Sequence, residues 1–153
     1  MKLDVYFVDA FTDKVFSGNP AAVIFTDIDD ENLMQKIAFE NNLSETAFVN
    51  TSQETNYIRW FSPIKEVDLC GHATLASAYI YFNFINKDED NVSFMSASGE
   101  LSVRKTDNLY ELDFPKDNLK KIDLIDQVED CIGVKPIETF IGDINLFALL
   151  DNE

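Results

Sequence analysis

The stretch LCGHATLASAYIYFNFIN, residues 69–86, contains eighteen residues and no charge. Its length sits at the lower edge of a membrane-spanning helix. However, it opens on Cys70-Gly71-His72 and carries Thr74, Ser77, Asn83 and Asn86, so its apolar part is shorter. The spacing predicts a helix from about His72 to Ile85. On it, Leu75, Ala76, Ala78, Tyr79, Ile80, Phe82 and Phe84 cover nearly the whole circumference. A helix that is apolar all round must be surrounded by protein.

The flanking sequence supplies the surroundings. Strands are expected at 3–8, 21–25, 45–49, 57–61 and 66–69, then at 92–95, 99–105 and 109–114. A Gly18-Asn19-Pro20 turn precedes the second strand, and Asp107-Asn108 suits a hairpin turn between the last two. Asp29 or Asp30 can cap a helix that runs to about Asn41, with Leu33, Ile37 and Ala38 as its apolar stripe. A second capped helix is expected from about Asp123 to Cys131, stopped by Gly133. A hairpin follows, 137–141 and 145–150 about Gly142-Asp143. Strands outnumber helices, and the regular alternation of a doubly wound fold is missing. The economical solution is an α+β fold, a curved mixed sheet wrapped around a central apolar helix. The closing hairpin either adds to that sheet or begins another lobe.

Composition narrows the function. The 153 residues include 12 Lys+Arg and 28 Asp+Glu, a formal net charge of −16. An apolar share of 46% supports a packed core rather than disorder. The acidic balance argues against nucleic acid and anionic membranes as partners, because both need a basic footprint. Two cysteines, Cys70 and Cys131, and one histidine, His72, cannot form a disulfide framework or a Cys/His zinc site by spacing. The amino-terminal MKLDVYFVDAF holds Asp4 and Asp9 and has no long apolar run, so the expected compartment is the cytoplasm.

Chemistry concentrates where the short extended piece ends and the uncharged helix begins. The first N–H groups of a helix lack internal partners and carry partial positive charge. Gly71 there either lets an anion approach the backbone, as a substrate carboxylate would, or merely permits the turn. His72 is expected to stay neutral and hydrogen-bonded, as a site residue or as a plain cap. Cys70 is either an acid/base thiol favoured by the helix dipole or a small buried apolar residue. Glu45, in LSETAFV, is a carboxylate at the start of an apolar strand, either poised for proton transfer or solvated at a strand end. Asp9, Asp68 and Arg59 stand similarly, with an ion pair the plain reading of Arg59. No phosphate loop, nucleophile elbow or histidine-rich metal box is present.

Taken together, VDAFTDKVFSGNPAAV (8–23), NLSETAFV (42–49), RWFSPIKEVDLCGHATLASA (59–78), SASGELSV (96–103) and ELDFP (111–115) resemble the phenazine-biosynthesis PhzF-like family, in order and spacing. The resemblance implies a diaminopimelate epimerase-like fold of two pseudo-symmetric lobes, with residues 1–115 as the amino-terminal lobe and 116–153 as the start of an incomplete second one. It also implies a cofactor-independent isomerase acting on trans-2,3-dihydro-3-hydroxyanthranilate or a related small carboxylic acid. Glu45 would move the proton. Gly71, His72 and Ala73 would hold the substrate carboxylate, and Asn19, in the Gly18–Pro20 turn, would border the same cleft. Cys70 stands where epimerase relatives carry a thiol base, which keeps an epimerase or racemase as the alternative chemistry. Family chains continue through a second lobe. This chain would then be completed by a complementary lobe or a homodimer partner, or would be a non-catalytic carboxylate-binding or self-associating remnant.

Overall fold

The computed structural model describes residues 2–151, apart from Val15, Asn108 and Ile144. The chain divides into two compact units, Met1–Pro115 and Lys116–Glu153.

The first unit contains β1 (Tyr6–Ala10), β2 (Asn19–Phe25), α1 (Glu31–Asn41), β3 (Glu45–Asn50), β4 (Tyr57–Phe61) and β5 (Glu66–Val67). It continues with α2 (Gly71–Ile80), a π-helical turn (Tyr81–Ile85), β6 (Asn91–Ser96), β7 (Gly99–Thr106) and β8 (Leu109–Asp113). The strands form one mixed sheet in the order β1-β2-β3-β4-β6-β7-β8, with β5 added to β4. Neighbours are antiparallel except β2 with β3 and β4 with β6. Parallel neighbours need a crossover, and each parallel pair has a helix between its strands: α1 in one, α2 in the other.

The two helices occupy opposite faces. Side chains alternate across a strand. Ala21, Val23, Ala47, Val49, Ile58 and Trp60 therefore turn to α2, in a core that also takes Phe82, Phe94, Leu101 and Val103. Ile24, Phe48 and Phe61 turn the other way and pack with Met34 and Ala38 of α1. Burying a ring such as Phe94 contributes on the order of 2–3 kcal/mol. Helix α2 keeps its buried hydroxyls satisfied locally: Thr74 Oγ1 donates to the Cys70 carbonyl at 2.6 Å and Ser77 Oγ to that of Ala73 at 2.7 Å.

The wrapped helix is therefore present, with two differences from the sequence reading. Its enclosure is incomplete, because Tyr79 (41%) and Phe84 (54%) are exposed and Leu75 is half-buried. The sheet is a half-barrel. Its last turn is also wider than an α-helix: the Asn86 N–H reaches back five residues to the Tyr81 carbonyl. No helix among the described residues is long and apolar enough to cross a membrane.

The Gly18-Asn19-Pro20 turn is corrected. Asn19 and Pro20 are already in β2, paired with Ala10 and Asp9. The bend lies at Gly18, whose φ is +85° and where a Cβ would meet the Ala10 carbonyl at 2.3 Å. Its loop is held by Asp9, whose Oδ2 accepts from the Phe16 N–H at 3.1 Å. Strand β1 is displaced along the chain from the expected 3–8 because its partner begins at Asn19. Of the Asp107-Asn108 turn, Asn108 lies outside the described residues, and Thr106 pairs with Leu109 across it.

In the second unit, β9 (Lys120–Ile122), β10 (Glu138–Ile141) and β11 (Leu146–Leu149) make a separate sheet in the order β11-β10-β9, with α3 (Ile125–Ile132) between the first two. The closing hairpin thus does not extend the first sheet. Helix α3 starts after Leu124 without a side-chain cap, not at Asp123. Gly133, at φ +74°, ends it as expected.

Candidate functional site

Two chain turns bring the site together. Asn42, in the left-handed region at φ 50°, ends α1 and leads the chain into β3, so that Glu45 becomes the first residue of that strand. Glu45 pairs with Ala21 and shares the α2 face with Ala47 and Val49. The other turn runs from β5 through Cys70 into α2. Ser98 Oγ holds it by donating to the Asp68 carbonyl at 2.8 Å. The sequence reading did not single out Ser98, although it lies in the SASGELSV block.

These turns place Glu45 Oε2 3.3 Å from His72 Nε2, across 27 positions of chain. On the other side of the ring, His72 Nδ1 is 3.4 Å from Cys70 Sγ. The His72 side chain is 9% exposed and that of Glu45 20%. The Glu45 contact is off the line of a hydrogen bond, and His72 Nε2 is buried without a hydrogen-bond partner. Burial lowers the His72 pKa below the usual imidazole range, partly offset by the Glu45 charge and the Pro20 carbonyl. The ring is neutral at pH 7.

Helix α2 begins without a side-chain cap and without an acid in its first turn. The first intrahelical bond is from Thr74 N to the Cys70 carbonyl, at 3.3 Å. The N–H groups of Gly71, His72 and Ala73 precede it and have no intrahelical acceptor. Packing does not demand the glycine: a Cβ at 71 would be 3.6 Å from the Phe114 ring, ordinary contact.

Cys70 is 7% exposed. Desolvation pushes its thiol up to about 12, and the neighbouring Glu45 carboxylate adds to the rise, against the opposing pull of the Ala73 and His72 backbone N–H groups. Burial outweighs the helix dipole here, which favours the buried, protonated reading of Cys70 over the acid/base thiol. Cys131 is exposed. Asn19 lies on the α2 face of β2, two residues before Ala21 and one strand from Glu45, and among the described residues no hydrogen bond from its side chain joins the group. Arg59 belongs to the opposite face. It forks onto Glu66 at 2.7 Å and reaches Glu31 at 3.2 Å, so the ion-pair reading holds. A cavity of about 440 Å³ lies on that face too, between Met34, Phe48 and Arg59, and excludes Glu45, Cys70 and His72. Two of its acids, Asp29 and Glu66, already engage Arg59.

Spacing along the chain excludes a Cys/His metal site, yet folding adds Glu45 to the pair, and donor atoms of the three residues lie within 4.8 Å of one another. A metal would require the thiol to lose its proton, which burial opposes. The trio is better described as a close-packed polar group in which only Cys70 and His72 are hydrogen-bonded.

The chain is similar to known proteins. The phenazine biosynthesis-like protein family PhzC-PhzF matches residues 8–129. The chain belongs to this family. An uncharacterized isomerase of Pseudomonas aeruginosa is 43% identical over 155 residues, covering 100% of this chain and 59% of its own length. The human phenazine biosynthesis-like domain-containing protein is 42% identical, covering 94% of this chain and 53% of its own. The crystal structure of a PhzF family protein from Enterococcus faecalis superposes with a TM-score of 0.88 at 44% identity, covering 100% of this chain and 59% of that one. The fold is the diaminopimelate epimerase-like half-barrel that the resemblance implied. This chain spans between about half and three-fifths of the length of these relatives.

Proposed function

We propose that the chain is the proton-transferring half of a cofactor-independent isomerase of the PhzC-PhzF family, acting in the cytoplasm on a small carboxylic acid. Glu45 removes a proton from one substrate carbon and returns it to another. The N–H groups of Gly71, His72 and Ala73 hold the substrate carboxylate at the positive end of α2, with Asn19 at the margin. A cyclic amino acid of the dihydro-hydroxyanthranilate kind fits, since proton relocation is the chemistry one carboxylate can perform. The observation that carries the reading is the 3.3 Å approach of Glu45 to His72 at the uncapped start of α2. These relatives extend beyond the span matched here, and a complementary lobe, in the same chain or another, is the proposed partner that closes the cleft. Closure would exclude water and strengthen both the anion site and the proton transfer.

A Cys70-based epimerase is the weaker reading, because its thiol holds its proton. The test is turnover of trans-2,3-dihydro-3-hydroxyanthranilate in deuterium oxide by the chain joined to a complementary lobe. We expect deuterium in the product and a fall in kcat of about 10²–10⁴ in Glu45→Gln, with carboxylate binding nearly kept. Full activity in that variant would remove Glu45 from the mechanism.

A further inference from the structure

The contact between Cys70 and His72 fixes a choice that the backbone leaves open. A neutral imidazole carries one N–H and one lone pair. If Nδ1 held the proton, it would donate to the Cys70 sulfur, and Nε2 would turn its lone pair on a carboxylate oxygen 3.3 Å away. That arrangement sets two acceptors against each other in a buried place. If Nε2 holds the proton instead, its N–H faces Glu45, and Nδ1 needs a donor on its own side. The group found there is the Cys70 thiol, 3.4 Å away. The thiol keeps its proton at neutral pH.

We propose that Cys70 is a positioning residue: its S–H donates to His72 Nδ1 and holds the ring in the tautomer whose Nε2–H points at Glu45 and the substrate cleft. Donors then run in one direction, from the sulfur to the imidazole and from the imidazole toward the carboxylate and the cleft. No proton leaves the thiol. The buried Nε2–H, without a regular partner, is the donor offered to a substrate oxygen.

The role toward substrate rests on the isomerase reading, but the tautomer belongs to the chain alone and is measured without turnover. His72 is the only histidine, so ¹⁵N spectra of the labelled chain at about pH 8, above the imidazole range, report it without assignment. We expect a pyridine-like Nδ1 and a pyrrole-like Nε2. Cys70→Ser, which keeps a donor, retains that pattern, and Cys131→Ser leaves it unchanged. Cys70→Ala in a Glu45→Gln background, where the carboxylate no longer biases the ring, shifts the tautomer ratio toward Nδ1–H by about fivefold relative to Glu45→Gln alone, the size of one net hydrogen bond. A pyrrole-like Nδ1 in the unaltered chain overturns the proposal whatever the variants do. So does an unchanged ratio in the alanine variant. A chain with the expected tautomer but no turnover when completed would instead count against the isomerase reading alone.

Discussion

Helices α1 and α2 begin in opposite ways. Asp30 caps α1, its Oδ1 accepting from the N–H groups of Asn32 at 3.0 Å and Leu33 at 3.3 Å, with Glu31 adding negative charge in the first turn. Helix α2 has Cys70 in the same place, no side-chain cap and no first-turn acid, yet it is the buried helix. A helix whose work is structural closes its free N–H groups with its own carboxylate. Leaving them open at a buried position is costly unless something else uses them. Glu45 and His72 stand where that use would be.

The sharpest way to break this contrast is to give α2 the cap that α1 has. Cys70→Asp would put a second carboxylate beside Glu45 in a nearly closed site, and we expect a loss of about 3–5 kcal/mol in stability at pH 7, read by urea denaturation. Part of it should return toward about pH 5, as the pair comes to share a proton. If the variant is as stable as the parent, α2 simply lacks a cap and the contrast means nothing.

Gly71→Ala separates fold from binding. With only ordinary contact awaiting the new Cβ, stability should hold, while affinity for anthranilate as a carboxylate probe falls about tenfold, as blocked N–H groups at a helix start imply. Calorimetry on the completed protein measures both, and unchanged affinity would return Gly71 to the role of a turn residue.

The reciprocal change on α1, Asp30→Ala, should cost about 1 kcal/mol and leave probe affinity alone. A change in affinity there would show that the two helix starts are not independent.

The smallest effect concerns pH. Burial lowers the His72 pKa in the folded chain, so below the ordinary value of about 6.5 the unfolded chain takes up a proton that the folded chain refuses. Stability therefore falls as pH drops below that value, until the lowered folded pKa is reached. His72→Asn should lose this component of the slope. Parallel stability–pH curves for the two proteins would mean that the ring titrates alike folded and unfolded.

The same contrast explains what could be read from the chain. The boundaries of α1 were legible because both lie in side-chain chemistry: Asp30 at the start and Asn42 at the left-handed end. The buried Met34 was not foreseen, since its place depends on Phe48 and Phe61 arriving from distant strands. The wrapped helix was legible from the missing charge alone. Its π-helical turn was not, because a bond to Tyr81 from Asn86 instead of an earlier residue leaves no mark in composition. Strand β9 begins Lys120-Lys121 and exists by pairing with β10, which no local pattern announces. At the site, Gly71 and His72 follow from the helix start, but the approach of Glu45 is a tertiary fact that only the resemblance anticipated. Of the two readings of Cys70, the structure fits the small buried residue, because the fold encloses that helix start.

Arg59 lies outside all of this, yet it anchors the approach to the site. Strand β5 has two residues and two register partners, Trp60 and Phe61, too little pairing to hold its own position. The guanidinium grips Glu66 in that strand with two nitrogens and ties it to Glu31 of α1. Four residues beyond Glu66 the chain reaches Cys70. A charge cluster on the α1 side of the sheet thus ties down the strand from which, four residues later, the backbone on the other side begins to coil.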